Sequence, residues 1–93
     1  MVTAIVLITA ERMSIPETAE TLAEIEGVAE VYSVSGEFDI VAILRVRQYE
    51  ELASLVTERL LKIPTITRTQ THMAFQAYSK HDLERIFGIG AEV

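Results

Sequence analysis

The segment Gly36-Glu37-Phe38-Asp39 contains the residue types in this sequence that are best suited to binding a small charged ligand. Gly36 can adopt a positive φ, and free backbone amides in such a loop can bind a carboxylate. Asp39 or Glu37 can then bind an amine through a charge-assisted hydrogen bond. The same residues also suit a plain hairpin turn, in which the glycine takes the positive φ and the Asp39 carboxylate caps the turn. The spacing alone leaves both interpretations open.

Threonines at alternate positions form a second polar pattern, in a segment predicted to be the last strand. A strand places alternate residues on one face, so their hydroxyls should form a ladder that could line a small pocket at a subunit boundary. Threonine is also a good strand former that an edge strand tolerates, so the ladder alone is weak support for a site. The ladder consists of Thr65, Thr67, Thr69 and Thr71.

The two histidines, His72 and His81, do not have the HxxxH or HxxE spacing of a metal site, and the sequence has no cysteine. No serine lies in the G-x-S-x-G context of a nucleophile elbow. We therefore expect no metal, no cofactor and no catalytic residue, and hence not an enzyme. The alternative is a small cofactor-free enzyme with His72 as its base.

The amino-acid composition limits the kind of protein this can be and the binding partners it can have. The 93 residues suit one domain, and 49% hydrophobic with 24% charged residues is typical of a globular protein. The net charge of −6 would repel a phosphate backbone, so direct nucleic-acid binding is not expected. The absence of cysteine fits a cytoplasmic protein. The apolar segment 2–10 is shorter than the about 20 residues needed to cross a membrane, so it is predicted to be a buried strand.

An internal repeat with an offset of 38 residues predicts how these segments are positioned. Leu22 aligns with Leu60 and Val28 with Ile66, so the offset is 60 − 22 = 66 − 28 = 38. Each half begins with an apolar run and continues into a helical pattern. The order is therefore βαββαβ, an α+β fold of the ferredoxin-like type with a four-stranded antiparallel sheet and two helices on one face.

The element boundaries follow from local signals. A capping box, Ser14 to Glu17, should start a helix that ends near Glu26, where Gly27 supplies a positive φ. The remaining expected elements are strands 28–35, 39–47 and 66–78 and a helix at 49–62. A second capping box, 79–82, should open a short helical tail, which divides the chain into a sensing domain at 1–78 and a tail at 79–93.

Both faces of the first and third strands are apolar, although two helices can cover only one face of a sheet. Val6 and Ile8 alternate with Ile5 and Leu7, and none of them is polar. A second covered face is therefore required. A homodimer that packs sheet against sheet would provide it, as in a dimeric α/β-barrel. The alternative is that the tail helix folds back over this face.

These motifs resemble the effector-binding domain of the Lrp/AsnC regulators, often called the RAM domain. The resemblance runs from Val2 to about Phe75, and its most specific part is the G-x-x-D hairpin between a Val-Tyr strand and an apolar strand. Ser35 stands where threonine is common, Phe38 where tyrosine is common, and Thr65 where glycine is frequent. Full-length family members carry an N-terminal helix-turn-helix domain. Because this chain begins at the first sensor strand, we expect it to be similar to the stand-alone members.

The resemblance implies an oligomeric domain that binds an amino acid or related effector and modulates transcription, without binding DNA itself. It implies a homodimer that assembles into octamer-like rings, and mixed assembly with full-length Lrp/AsnC regulators. A pure assembly module without a ligand is a further alternative. The ligand-binding residues that the resemblance implies are Ser35, Gly36, Glu37, Phe38, Asp39, Thr69 and Thr71.

Overall fold

Four strands and two helices follow one another along the chain in the order βαββαβ, as expected from the sequence. The computed structural model describes residues 1–80. The sheet order is β2-β3-β1-β4, and every neighbouring pair is antiparallel, which confirms the ferredoxin-like arrangement. The elements are β1 (Val2–Ala10), α1 (Ile15–Ala23), β2 (Val28–Ser33), β3 (Ile40–Val46), α2 (Tyr49–Ser54) and β4 (Ile66–Ala74).

The core lies between the two helices and one face of the sheet. Strand alternation sends every second residue of the central strands β1 and β3 to this face, where each is buried. Leucines from the helical segments complete the core. The sheet contributes Ala4, Val6, Ile8, Ala10, Ile40, Ala42, Leu44 and Val46, and the helical segments contribute Leu22, Leu52, Leu55 and Leu60.

The opposite face of the sheet, called here the open face, has an apolar centre. Ile5 pairs with Ile43 and Leu7 pairs with Val41, and all four are half-buried. The two edge strands are polar on this face: β2 carries Glu30 and Tyr32 there, and β4 carries Arg68, Gln70 and His72. The expectation of two apolar faces, which concerned the first and third strands, is therefore confirmed. The predicted tail helix and its capping box need residues 81–93, which lie outside the described residues.

The predicted capping box at the first helix is wrong. A 3₁₀ turn, Arg12–Ser14, precedes α1, and the Ser14 side chain makes no capping hydrogen bond. Instead, the buried Thr18 hydroxyl donates to the Ser14 carbonyl at 2.7 Å and approaches the Thr65 hydroxyl at 2.6 Å. The helix also ends at Ala23 rather than near Glu26, and Gly27 (φ 99°) lies in the turn that follows.

The second helical segment reaches Lys62 as expected, but it is not a continuous α-helix. After α2 the chain forms a π-helical turn at Leu55–Arg59 and a 3₁₀ turn at Leu60–Lys62. The Leu60 amide donates to the Leu55 carbonyl, which is the i→i+5 hydrogen bond of a π-helix, and both leucine side chains are buried. The π turn therefore places Leu60 in the core and leaves Arg59 exposed.

Strand β4 is irregular near its start, and this breaks the predicted threonine ladder. The register against β1 shifts between Thr9 and Ala10, so that Ala10 pairs with Ile66 and Thr9 with Arg68. Thr67 falls in the bulge, where its hydroxyl donates to the Thr9 carbonyl at 3.0 Å. Thr65 precedes the strand. Only Thr69 and Thr71 of the four share a regular face, and the strand ends at Ala74 rather than near Tyr78.

No helix among residues 1–80 is long and apolar enough to cross a membrane.

Candidate functional site

The hairpin 34–39 connects β2 to β3 and projects from the end of the sheet. The Val34 amide donates to the Asp39 carbonyl at 2.9 Å, which closes the hairpin, and the Asp39 amide donates to the Ile8 carbonyl at 2.9 Å. Gly36 at the tip has φ 109°, and a Cβ built on it would have no atom within 4 Å. The glycine is therefore required by the backbone conformation and not by crowding, and the space around the tip is open.

Asp39 anchors the hairpin to the neighbouring strand. Its Oδ2 accepts a hydrogen bond from the Ala10 amide at 3.0 Å, across 29 residues of sequence, and the residue is half-buried. The predicted structural role of this carboxylate was to cap its own turn, but the carboxylate caps the end of β1 instead. Within residues 1–80, Oδ1 has no hydrogen-bond partner, so one carboxylate oxygen remains available to a ligand.

Arg68 brings a positive charge to the hairpin. One guanidinium nitrogen lies 3.7 Å from Glu37 Oε2, and the Arg68 Cζ lies 5.1 Å from the centre of the Phe38 ring. The two ion-pair side chains are 59% and 78% exposed, so this pair stabilises the fold by at most about 1 kcal/mol. The pair therefore leaves both charges accessible at the tip of the hairpin.

Arg68 was missed by the sequence-based prediction. Its proximity to Glu37 follows from the pairing of β4 with β1, which lies beside β3 in the sheet. One local signal was present: Arg68 is the only lysine or arginine in the segment 66–74, where it lies between Thr67 and Thr69. A charged residue on a predicted strand next to the candidate pocket threonines was a reason to examine it.

The two predicted pocket threonines are not equivalent. Thr69 pairs with Ile8, whose carbonyl accepts the Asp39 amide, so Thr69 lies at the level of the hairpin. Thr71 pairs with Val6, two residues farther along the strand, which is about 7 Å away. Both lie on the helix-side face, whereas Arg68 lies on the open face, and neither hydroxyl bonds to the hairpin among the described residues. Ser35 is exposed beside Gly36.

The described histidine, His72, pairs with a neighbouring side chain of its own strand. His72 Nε2 lies 3.0 Å from the Gln70 Oε1, on the exposed edge of the open face. No group of three or more His, Cys, Asp or Glu side chains in residues 1–80 is arranged to hold a metal. His81 lies outside the described residues.

A cleft of about 670 Å³ lies at the other end of the sheet. It is lined by the end of β3, the turn at Gly27 and the helical segment that begins with α2. The hairpin borders the start of β3, so this cleft is not part of the predicted ligand site.

Comparisons with known proteins agree with the observed fold. The family model for the Lrp/AsnC ligand binding domain matches residues 3–83. An uncharacterised helix-turn-helix transcriptional regulator of Pyrococcus furiosus is 41% identical over 59 residues, which are 63% of this chain and 39% of that protein. This chain thus corresponds to well under half of the length of that regulator.

Two solved structures illustrate the range of the structural similarity. TTHA0845 of Thermus thermophilus superposes with a TM-score of 0.80 at 42% identity, covering 86% of this chain and 100% of that chain. A transcriptional regulator of Neisseria meningitidis, solved as a complex with L-methionine, has a TM-score of 0.75 at 14% identity and covers 84% of this chain and 52% of that chain. The second likeness shows the fold alone.

Proposed function

This chain belongs to the Lrp/AsnC ligand-binding domain family, and we propose that it is an oligomeric sensor that binds an amino acid or related small molecule at the hairpin 34–39. The main support is the open tip of this hairpin, where Gly36 leaves the surrounding space free beside the Glu37 and Arg68 charges. A ligand carboxylate would bind Arg68 and the free loop amides, and its ammonium would bind Glu37 or the free oxygen of Asp39. Ser35 and Phe38 would complete the pocket, whereas Thr69 and Thr71 lie on the helix-side face of the sheet, away from Arg68.

The sensor would act on transcription through assembly rather than through DNA contacts. The curated relative is named as a helix-turn-helix regulator, and a chain with a net charge of −6 is poorly suited to a phosphate backbone. Mixed assembly with full-length regulators of the same family would transmit the signal. This role would place the domain in the cytoplasm, alongside the transcription it modulates.

A homodimer formed through the open face would be the basic unit of this assembly. The half-buried pairs Ile5–Ile43 and Leu7–Val41 form an apolar stripe between polar edge strands. Such a stripe, rimmed by polar residues, is typical of an interface. Dimers would associate further, so that a neighbouring subunit closes the pocket at the exposed hairpin.

Light scattering of an Ile43→Lys variant tests the dimer. A charge at the centre of the stripe would be buried without a partner, so the variant should run at the mass of a monomer. Leu61→Lys is the matched control, because Leu61 is an exposed apolar residue on a helical turn away from this face. If Ile43→Lys keeps the mass of the wild type, the proposed interface is wrong.

A thermal-shift panel of the amino acids, including L-methionine, tests ligand binding. A ligand at 100 times its dissociation constant should add about 2.7 kcal/mol to the free energy of unfolding. A flat response across the whole panel would contradict a sensing role.

One observation gives Asp39 a structural role, as a pure assembly module would require, namely its hydrogen bond from the Ala10 amide. Two variants separate the two roles. Asp39→Asn keeps an oxygen that can accept this hydrogen bond but removes the charge, whereas Asp39→Ala removes both. If the hairpin is a sensor, Asp39→Asn should lose the ligand response while light scattering shows an unchanged oligomer. If Asp39→Asn leaves the response intact and only Asp39→Ala dissociates the oligomer, the carboxylate has a structural role only.

A further inference from the structure

The cleft at the far end of the sheet contains three arginines that the hairpin site does not explain. Arg45, Arg47 and Arg59 all line it, although the whole chain has only 8 basic residues and a net charge of −6. Within residues 1–80, none of these three guanidinium groups forms an ion pair. Arginine presents a planar fork of donors that matches carboxylate and phosphate groups, so three such groups around one cleft could bind an anion.

The three glutamates of the cleft balance the charge of the arginines, but they do not pair with the guanidinium groups. Glu51 Oε1 accepts hydrogen bonds from the Arg47 amide at 3.0 Å and the Gln48 amide at 3.3 Å, so this carboxylate is bound to the backbone at the start of α2. Glu26 and Glu58 are the other carboxylates in the lining. Within residues 1–80 the three arginines therefore share the cleft with three carboxylates but form an ion pair with none of them.

The floor of the cleft is closely packed. A Cβ built on Gly27 would lie 2.8 Å from the Leu55 Cδ2 and 3.4 Å from the Val46 Cγ1, so the turn after α1 is in direct contact with the π turn. The π turn also keeps Arg59 at the rim while Leu60 enters the core. Single π turns in otherwise α-helical segments are rare and are frequent at functional sites.

We propose that this cleft is a second binding site, for a compact anion that carries two or more carboxylate or phosphate groups. Its volume of about 670 Å³ lies within the range of small-molecule sites. The two ends of β3 are ~20 Å apart, so the cleft and the hairpin bind different molecules. An anion bound by Arg45, Arg47 and Arg59 would link the end of β3 to the π turn.

Isothermal titration with citrate and with pyrophosphate, at constant chloride concentration, tests this proposal on the full chain. Binding of one anion and not the other identifies the acidic group that the cleft recognises. Arg59→Gln and Arg47→Gln should each weaken binding by about tenfold or more, because each removes a charge-assisted contact. Arg12→Gln is the matched control: it makes the same change in net charge on an exposed turn outside the cleft, and it should bind as the wild type does.

Amide NMR shifts provide a second measurement that does not depend on variants. Saturation with the anion should shift Gly27, Val46 and Ser54 and leave the hairpin 34–39 unaffected. The proposal is overturned if neither anion binds the wild type. It is also overturned if Arg12→Gln weakens binding as much as Arg59→Gln, since that result indicates a general counter-ion effect.

Discussion

Replacement of Gly27 by alanine should destabilise the fold in two ways, through backbone strain and through a clash with Leu55. Gly27 and Gly36 are the two described glycines with positive φ, at 99° and 109°. Any residue with a Cβ is strained in this region by about 1–2 kcal/mol. At Gly36 nothing else opposes the new methyl group, since its surroundings are open. At Gly27 the methyl carbon would lie 2.8 Å from Leu55 Cδ2, which is closer than a Cβ atom comes to another heavy atom in real structures.

The expected destabilisation follows from these surroundings. Leu55 is buried, and its side chain must leave its packed position to admit the methyl group, so overpacking should add about 1–3 kcal/mol at Gly27. Gly27→Ala should therefore lower the free energy of unfolding by about 2–5 kcal/mol, and Gly36→Ala by about 1–2 kcal/mol. The difference in unfolding free energy between the two variants measures the cost of the contact with Leu55.

Urea unfolding of both variants without ligand, at one protein concentration, measures this difference. A double variant, Gly27→Ala with Leu55→Ala, provides a further check, because removing the Leu55 side chain should leave only the backbone cost of the glycine replacement. Equal destabilisation by Gly27→Ala and Gly36→Ala would refute the argument. So would a double variant whose loss of unfolding free energy equals the sum of the losses in Gly27→Ala and Leu55→Ala.

Two further predictions concern contacts between polar side chains that are far apart in the sequence. Thr18→Val should lower the free energy of unfolding by about 1–3 kcal/mol in urea denaturation, because it leaves the Thr65 hydroxyl without its partner in a part-buried position. Thr21→Val, which removes a similar but exposed bond, should change it by less than about 0.5 kcal/mol; equal effects would contradict the argument from burial. Arg68→Gln should also change stability by no more than about 0.5 kcal/mol, yet it should weaken the amino-acid response in the thermal-shift panel, whereas Arg12→Gln should not. An unchanged response would remove Arg68 from the proposed site.

The sequence alone determined the order of elements and the main features of the core. These depend on local patterns: the 38-residue repeat, strand alternation and the helical spacing of leucines. The same patterns predicted an apolar second face, and Ile5, Leu7, Val41 and Ile43 form it. The hairpin was identified as a candidate site from its residue types, and its positive-φ glycine is present in the structure.

Local signals failed where a competing local conformation was available. The capping box at Ser14 matches the sequence pattern of a helix start, but a 3₁₀ turn occupies the preceding residues and Thr18 bonds to the Ser14 carbonyl instead. The threonine ladder assumed a regular strand, and one bulge was enough to remove Thr67 from the shared face. Both errors arise because short patterns do not specify backbone irregularities.

Only the tertiary structure decided which groups meet across the sheet. The Asp39 carboxylate bonds to the Ala10 amide, and Arg68 lies beside Glu37, because β1 lies between β3 and β4. The π turn likewise reflects long-range packing, since it allows both Leu55 and Leu60 to reach the core. Residue types predicted what each group could bind, but sheet order and strand register placed Arg68 at the hairpin, and the packing of the helical segment against Gly27 formed the cleft at the other end.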